Sequence, residues 1–123
     1  MTSRTEVDAF LYTFKQLKKQ NGLIILDREK NLQALLDMEL TAQRRDAIIM
    51  GLKPQHYYRG PRPDEIRQGF EFWEFGRKVD VFGESYTLYI KLSIRFENMP
   101  VVCLSFHPAE REMIFPFENI EKP

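Results

Sequence analysis

The sequence predicts an α+β fold, with N-terminal helices packed on an antiparallel β-sheet. Two observations carry this. Helical spacing with cap signals fills the first fifty residues, and strand-like alternation fills residues 70–107. The alternation is strictest in Tyr86-Thr-Leu-Tyr-Ile-Lys-Leu-Ser-Ile-Arg-Phe96. Leu88, Ile90, Leu92, Ile94 and Phe96 take one side, with Tyr86. Thr87, Tyr89, Lys91, Ser93 and Arg95 take the other, as a half-buried strand requires.

Each element follows in order. Ser3 and Glu6 have capping-box spacing, and Val7, Phe10, Leu11, Phe14 and Leu17 recur at helical intervals, so a first helix of about 15 residues is expected. Asn21-Gly22 ends it. Leu23 to Leu26 reads as a short buried strand. Asp27 is placed to cap a second helix with Leu32, Leu35 and Leu36 inward. Thr41 is placed to cap a third, with Ala47, Ile48, Ile49 and Leu52 inward and Pro54 as its stop. Residues 54–69 hold three prolines and two glycines and read as a loop. Three strands follow at about 70–79, 86–96 and 100–107, joined by short connections at 80–85 and 97–99. The tail after Pro108 reads as irregular.

The 123 residues are expected to form one domain with one modest core. The 43% hydrophobic content is that of a folded chain. Zero formal net charge argues against a generic polyanion binder and leaves room for a local basic patch. The single cysteine, Cys103, excludes an internal disulfide and a multi-cysteine zinc site. No apolar run approaches a membrane span, and the first residues hold no apolar signal region. A soluble cytoplasmic protein is expected, with no membrane contact.

Strand parity gathers a candidate site. The face opposite the apolar set of 86–96 carries Tyr89, Lys91, Ser93 and Arg95. In 100–107, Val102, Leu104 and Phe106 form the apolar set, and Val101, Cys103, Ser105 and His107 form the other. Trp73 and Phe75 read as buried, which puts Glu74 opposite them. One face thus collects Glu74, Tyr89, Lys91, Ser105 and His107. Histidine is the residue type that exchanges protons near neutral pH. A tuned Glu74 is a candidate base, and Lys91 and Arg59 suit the charge of a phosphodiester in reaction. Tyr57, Tyr58, Arg62 and Arg95, with Ser105, suit contacts to single-stranded RNA.

Each element also has a plain reading. Strand lysines and arginines are often only solvated, Glu74 could pair with Lys91 across strands, and a lone histidine is more often structural. Tyr57 and Tyr58 could pack within the loop, and His56 reads as structural. A Cys103–His107 dyad fails, since four strand residues span about 13 Å. His107 and Glu110 lack the further ligands of a zinc site. No phosphate-binding glycine loop is present, and no cofactor is expected.

Tyr57-Tyr58-Arg59-Gly60-Pro61, Phe72-Trp73-Glu74-Phe75-Gly76, Leu88-Tyr89-Ile90-Lys91-Leu92 and Leu104-Ser105-Phe106-His107 occur in this order. Together they resemble the MqsR (motility quorum-sensing regulator) family of bacterial toxins, within the RelE-like superfamily. The resemblance covers about residues 5–117. It implies a small RelE-like α+β toxin that cuts mRNA without a metal, the ribose 2′-hydroxyl attacking the adjacent phosphate. It also implies a cognate antitoxin, a helix-turn-helix protein encoded beside it, and leaves the ribosome open as a further partner. Tyr89 and Lys91 stand where members carry Tyr and Lys. Arg59 stands where they carry Lys, Glu74 where they carry Gln, and His107 where they carry Lys. The runner-up reading is a non-catalytic RNA-binding or regulatory module on the same fold, ahead of a protein-interaction domain. An adjacent helix-turn-helix gene would favour the toxin.

Overall fold

A computed structural model describes residues 1–118. Ser3 caps the first helix, α1 (Arg4–Asn21), through the expected reciprocal bonds: Glu6 N–H donates to Ser3 Oγ and Ser3 N–H to Glu6 Oε1. Its inward stripe is Val7, Phe10, Leu11, Phe14 and Leu17. Gly22, at φ 92°, turns the chain out of the helix. Thr41 caps α3 (Ala42–Met50), accepting from Arg44 N–H. Ile48, Ile49 and Leu52 are buried there, whereas Ala47 is exposed. Among the described residues, no helix is long and apolar enough to cross a membrane.

Among the described residues, five strands form one sheet in the order β1-β5-β4-β3-β2. They are β1 (Leu23–Ile25), β2 (Tyr57–Pro63), β3 (Glu71–Val81), β4 (Glu84–Ser93) and β5 (Val101–Pro108). The last four are antiparallel neighbours, and β1 runs parallel to β5. The sheet is therefore mixed, with an antiparallel body. Side chains of α1 and α3 meet Phe75, Leu88, Ile90, Leu92, Val101, Cys103 and Phe106 in the main core.

The expected loop over residues 54–69 is partly a strand. Pro54–His56 forms one 3₁₀ turn, and β2 follows at the sheet edge, where prolines leave no missing ladder donor. His56 is structural: it accepts from Lys53 N–H at 2.9 Å. Burial and the charges of Arg77, Lys53 and Lys15 push its pKa down to about 4. Two shifts in register between β2 and β3 bring Arg59 opposite Glu74 and Arg62 opposite Phe72.

The parity of β5 also departs from expectation. Lys91 pairs with Ser105 but Leu92 pairs with Cys103, so Leu104 is an extra residue in the strand. This bulge exchanges the faces of all residues before it. Val101 and Cys103 enter the main core, while Val102 and Leu104 pack with Phe72 in a second cluster on the opposite face. Beyond Ser93 the alternation of β4 lapses because the strand ends. Ile94 is half-buried, and Phe96 is exposed and meets Phe70 edge-on.

The second helix, α2 (Glu29–Asp37), begins at Arg28 rather than Asp27 and has no side-chain cap. Its inward residues are Asn31, Ala34 and Met38, while Leu32 and Leu36 are exposed. The cause is the edge of β5. Beyond the three residues that β1 covers, Asn31 donates to Leu104 C=O and accepts from Phe106 N–H, and it donates to Leu26 C=O. Buried backbone groups left unpaired cost about 1–3 kcal/mol each, enough to outweigh the exposure of two leucines. Replacing Asn31 by Leu is expected to destabilise the fold by about 2–4 kcal/mol, measurable as a fall in the urea midpoint.

Candidate functional site

The face of the sheet turned away from α1 and α3 assembles the predicted set. Tyr89 lies opposite Gly76 and His107, and Lys91 lies opposite Glu74 and Ser105. Tyr89 and Lys91 are two residues apart on one strand, a spacing of about 6.7 Å. His107 and Lys91 are diagonal neighbours, which puts their backbones about 7–8 Å apart.

Glu74 is the buried centre of the cluster, only 1% exposed. Arg59 Nε donates to its Oε1 at 2.8 Å, Arg62 Nη1 approaches the same oxygen at 3.4 Å, and the Tyr89 hydroxyl donates to Oε2 at 2.5 Å. Burial alone would raise the Glu74 pKa. The hydrogen bonds from Arg59 and Tyr89 and the charges of both arginines overcome it and hold the carboxyl below its usual range. Glu74 therefore stays ionised and organises its neighbours. Burial and the bond to Glu74 push the Tyr89 phenol well above its usual pKa, so its proton is committed to that carboxylate.

Lys91 is half-buried, with its ammonium 3.9 Å from the centre of the Phe72 ring. Burial lowers its pKa; Glu74 opposes this, while Arg28 and Arg62 reinforce it. His107 is also half-buried, its ring 5.5 Å from that of Tyr89 between centres. Its Nδ1 lies 3.0 Å from Pro108 C=O. A carbonyl only accepts, so in the neutral ring Nδ1 carries the proton and Nε2 keeps the lone pair.

These residues border two adjoining hollows. One, of about 230 Å³, lies between Tyr58, Arg59, Tyr89 and His107 and the tail residues Glu110 and Arg111. The other, of about 350 Å³, lies between Arg28, Arg62, Phe72, Lys91 and Ile66. Arg59 and Tyr89 border both and form the ridge between them. The tail is held by Ala109 N–H donating to Thr87 C=O at 2.7 Å and by Phe117 against Tyr57. It crosses the sheet at Gly76, where a Cβ would lie 2.6 Å from the Phe115 ring.

Three predicted RNA contacts are not on this surface. Tyr57 is buried in the core beside Trp73 and Phe75, donating to Gly60 C=O, because its register opposite Phe75 turns it inward. Ser105 is buried beneath the cluster, 6% exposed. Arg95 lies beyond the strand end, bonded to Asp64 at 3.1 Å and stacked over Phe70, so it fastens the 64–70 turn. Tyr58, Arg59 and Arg62 do border the hollows. Arg28 and Arg111 border them too and were missed. Arg28 follows the expected cap Asp27 with no motif of its own, and Arg111 stands in a stretch with no periodicity. Among the described residues, no group of three or more His, Cys, Asp or Glu is gathered to hold a metal ion. Comparison of the chain with protein-family models, curated proteins and solved structures found no match in any of the three.

Proposed function

We propose that this chain is a metal-independent endoribonuclease that cuts mRNA, the toxin of a type II toxin–antitoxin pair acting in the cytoplasm. The observation that carries the reading is one sheet face that joins His107, whose Nε2 has no bonded partner among the described residues, to the Lys91 ammonium, which has no ion pair among them, across a ridge of Arg59 and Tyr89. The sequence resemblance supplies the toxin class and the adjacent helix-turn-helix antitoxin, and leaves the ribosome open as a further partner.

In this reading His107 Nε2 takes the proton of a ribose 2′-hydroxyl. The 2′ oxygen bonds to the adjacent phosphorus and the P–O5′ bond breaks. The leaving O5′ takes a proton from the Lys91 ammonium, which burial makes a stronger acid. The products are a 2′,3′-cyclic phosphate and a 5′-hydroxyl, and solvent restores both side chains. Arg59, held by Glu74, faces the charge gathering on phosphorus. Tyr89 positions, since its own proton is engaged by Glu74.

Induced expression should arrest growth with loss of mRNA, and co-expression of the adjacent gene should restore it. Purified protein should cut RNA in the presence of a chelator. Cleavage that requires a divalent ion would remove this mechanism. Binding without cleavage would favour the RNA-binding module, a reading that gains from Glu74 having its oxygens committed to Arg59, Arg62 and Tyr89. Replacing Lys91 by Met is expected to lower both affinity and turnover, since the ammonium attracts the phosphodiester in the ground state and protonates O5′ in the transition state; steady-state kinetics on a defined oligonucleotide reads both.

A further inference from the structure

We infer that the larger hollow seats the nucleotide downstream of the cut and that Arg28, with Arg62, receives that nucleotide's 3′ phosphate. The inference rests on the ribonuclease reading and gives the site a strand polarity. His107 borders only the smaller hollow, and Lys91 borders only the larger. The group that takes the 2′ proton must lie beside the upstream ribose. The group that protonates O5′ must lie beside the downstream one. RNA therefore crosses the Arg59–Tyr89 ridge with its 5′ side over the smaller hollow and its 3′ side in the larger.

The larger hollow has the composition such a nucleotide needs. Its floor is apolar, formed by Phe72 and Leu104, both nearly buried. At its rim Ile66 is 77% exposed, although the turn that carries it is firmly held. Asp64 accepts from the N–H groups of Ile66 and Arg67 and pairs with Arg95. A base lying in the hollow would cover that apolar side chain. Among the described residues, the half-buried Arg28 guanidinium has no hydrogen-bond or ion-pair partner. Arg62 is engaged with Glu74 through one nitrogen at 3.4 Å and is half exposed. Glu65, on the same border, is the exposed acid that an incoming phosphate meets. Two guanidiniums above an apolar floor match a phosphate at the end of a base-bearing unit.

The test compares a dinucleoside monophosphate, the same unit with an added 3′ phosphate, and the same unit with an added 5′ phosphate. The 3′ phosphate is expected to raise kcat/KM by roughly ten- to a hundredfold, the range for one charge-assisted contact. In the Arg28→Ala protein the ratio between the first two substrates should fall towards one, and Arg28→Lys should restore part of it. Any loss common to both substrates cancels in the ratio. A gain that follows the 5′ phosphate, or a ratio unchanged in Arg28→Ala, overturns the assignment. Binding of the 2′-deoxy forms separates this from the parent reading. An Arg28-dependent 3′-phosphate increment without any cleavage keeps the phosphate site and ends the nuclease reading. Cleavage without that increment ends the site alone. If Arg28→Ala instead weakens only the antitoxin complex, the hollow belongs to a protein partner and the assignment falls.

Discussion

The His107→Gln protein is expected to fold normally and to cut RNA roughly two to four orders of magnitude more slowly, the usual loss when a proton-transfer group is removed. The fold should tolerate the change because His107 is half-buried and lies on the open face, outside the main core. Its bonded contact is the neighbouring Pro108 C=O, which a glutamine amide also satisfies. The amide cannot take up a proton, so only the chemistry is removed. The measurement is single-turnover cleavage by folded protein across a range of pH. Cleavage close to wild type would take His107 out of the mechanism.

Glu74→Gln carries the second large effect, on stability as well as activity. The carboxylate is buried and accepts from three donors. An amide keeps one acceptor oxygen, forces the Tyr89 hydroxyl to give up its donor role or faces the arginines with its own N–H groups, and carries no charge to pair with them. Breaking a buried pair costs about 3–5 kcal/mol. Arg59 and Arg62 are each nearly half exposed and regain water, so a loss of about 2–3 kcal/mol is expected. The sign with pH follows from the lowered carboxyl pKa. The stabilisation is present above the ordinary carboxylate range and is lost as pH falls through the depressed folded value. Denaturation at neutral and acid pH should therefore show wild type and variant converging in acid. Cleavage should fall too, since Arg59 and Tyr89 lose the group that positions them.

The parts of this fold that could be read from sequence are those set by local rules. Caps at Ser3 and Thr41 fixed two helix starts, and the alternation of residues 86–93 fixed a central strand and its faces. Parity then brought Glu74, Tyr89, Lys91 and His107 together without knowledge of their neighbours. What escaped was set by long-range pairing. A strand containing Pro61 and Pro63 reads as a loop until an edge position is known. The bulge at Leu104 reverses faces in a run where nearly every residue is apolar, so no polar mark betrays it. The leucines of α2 suggest one inward stripe, but unpaired groups on β5 select another through Asn31. Tyr57 and Tyr58 are the same residue type in sequence, and only register sends the first inward. The helix period likewise says nothing of Arg28, whose part depends on what α2 lies beside.

Gly76 sets a limit on how this sequence can drift. Its φ is not in the left-handed region, so its backbone would accept any residue. The space above it would not, because Phe115 and Met113 occupy the place of a Cβ. Lineages descending from this chain can exchange the exposed Lys78 on the same strand freely. At position 76 even a methyl group must be matched by a second change in the segment that crosses it. The two stretches are thus bound to evolve as a pair, and the hollow beside His107 inherits its wall from that pairing.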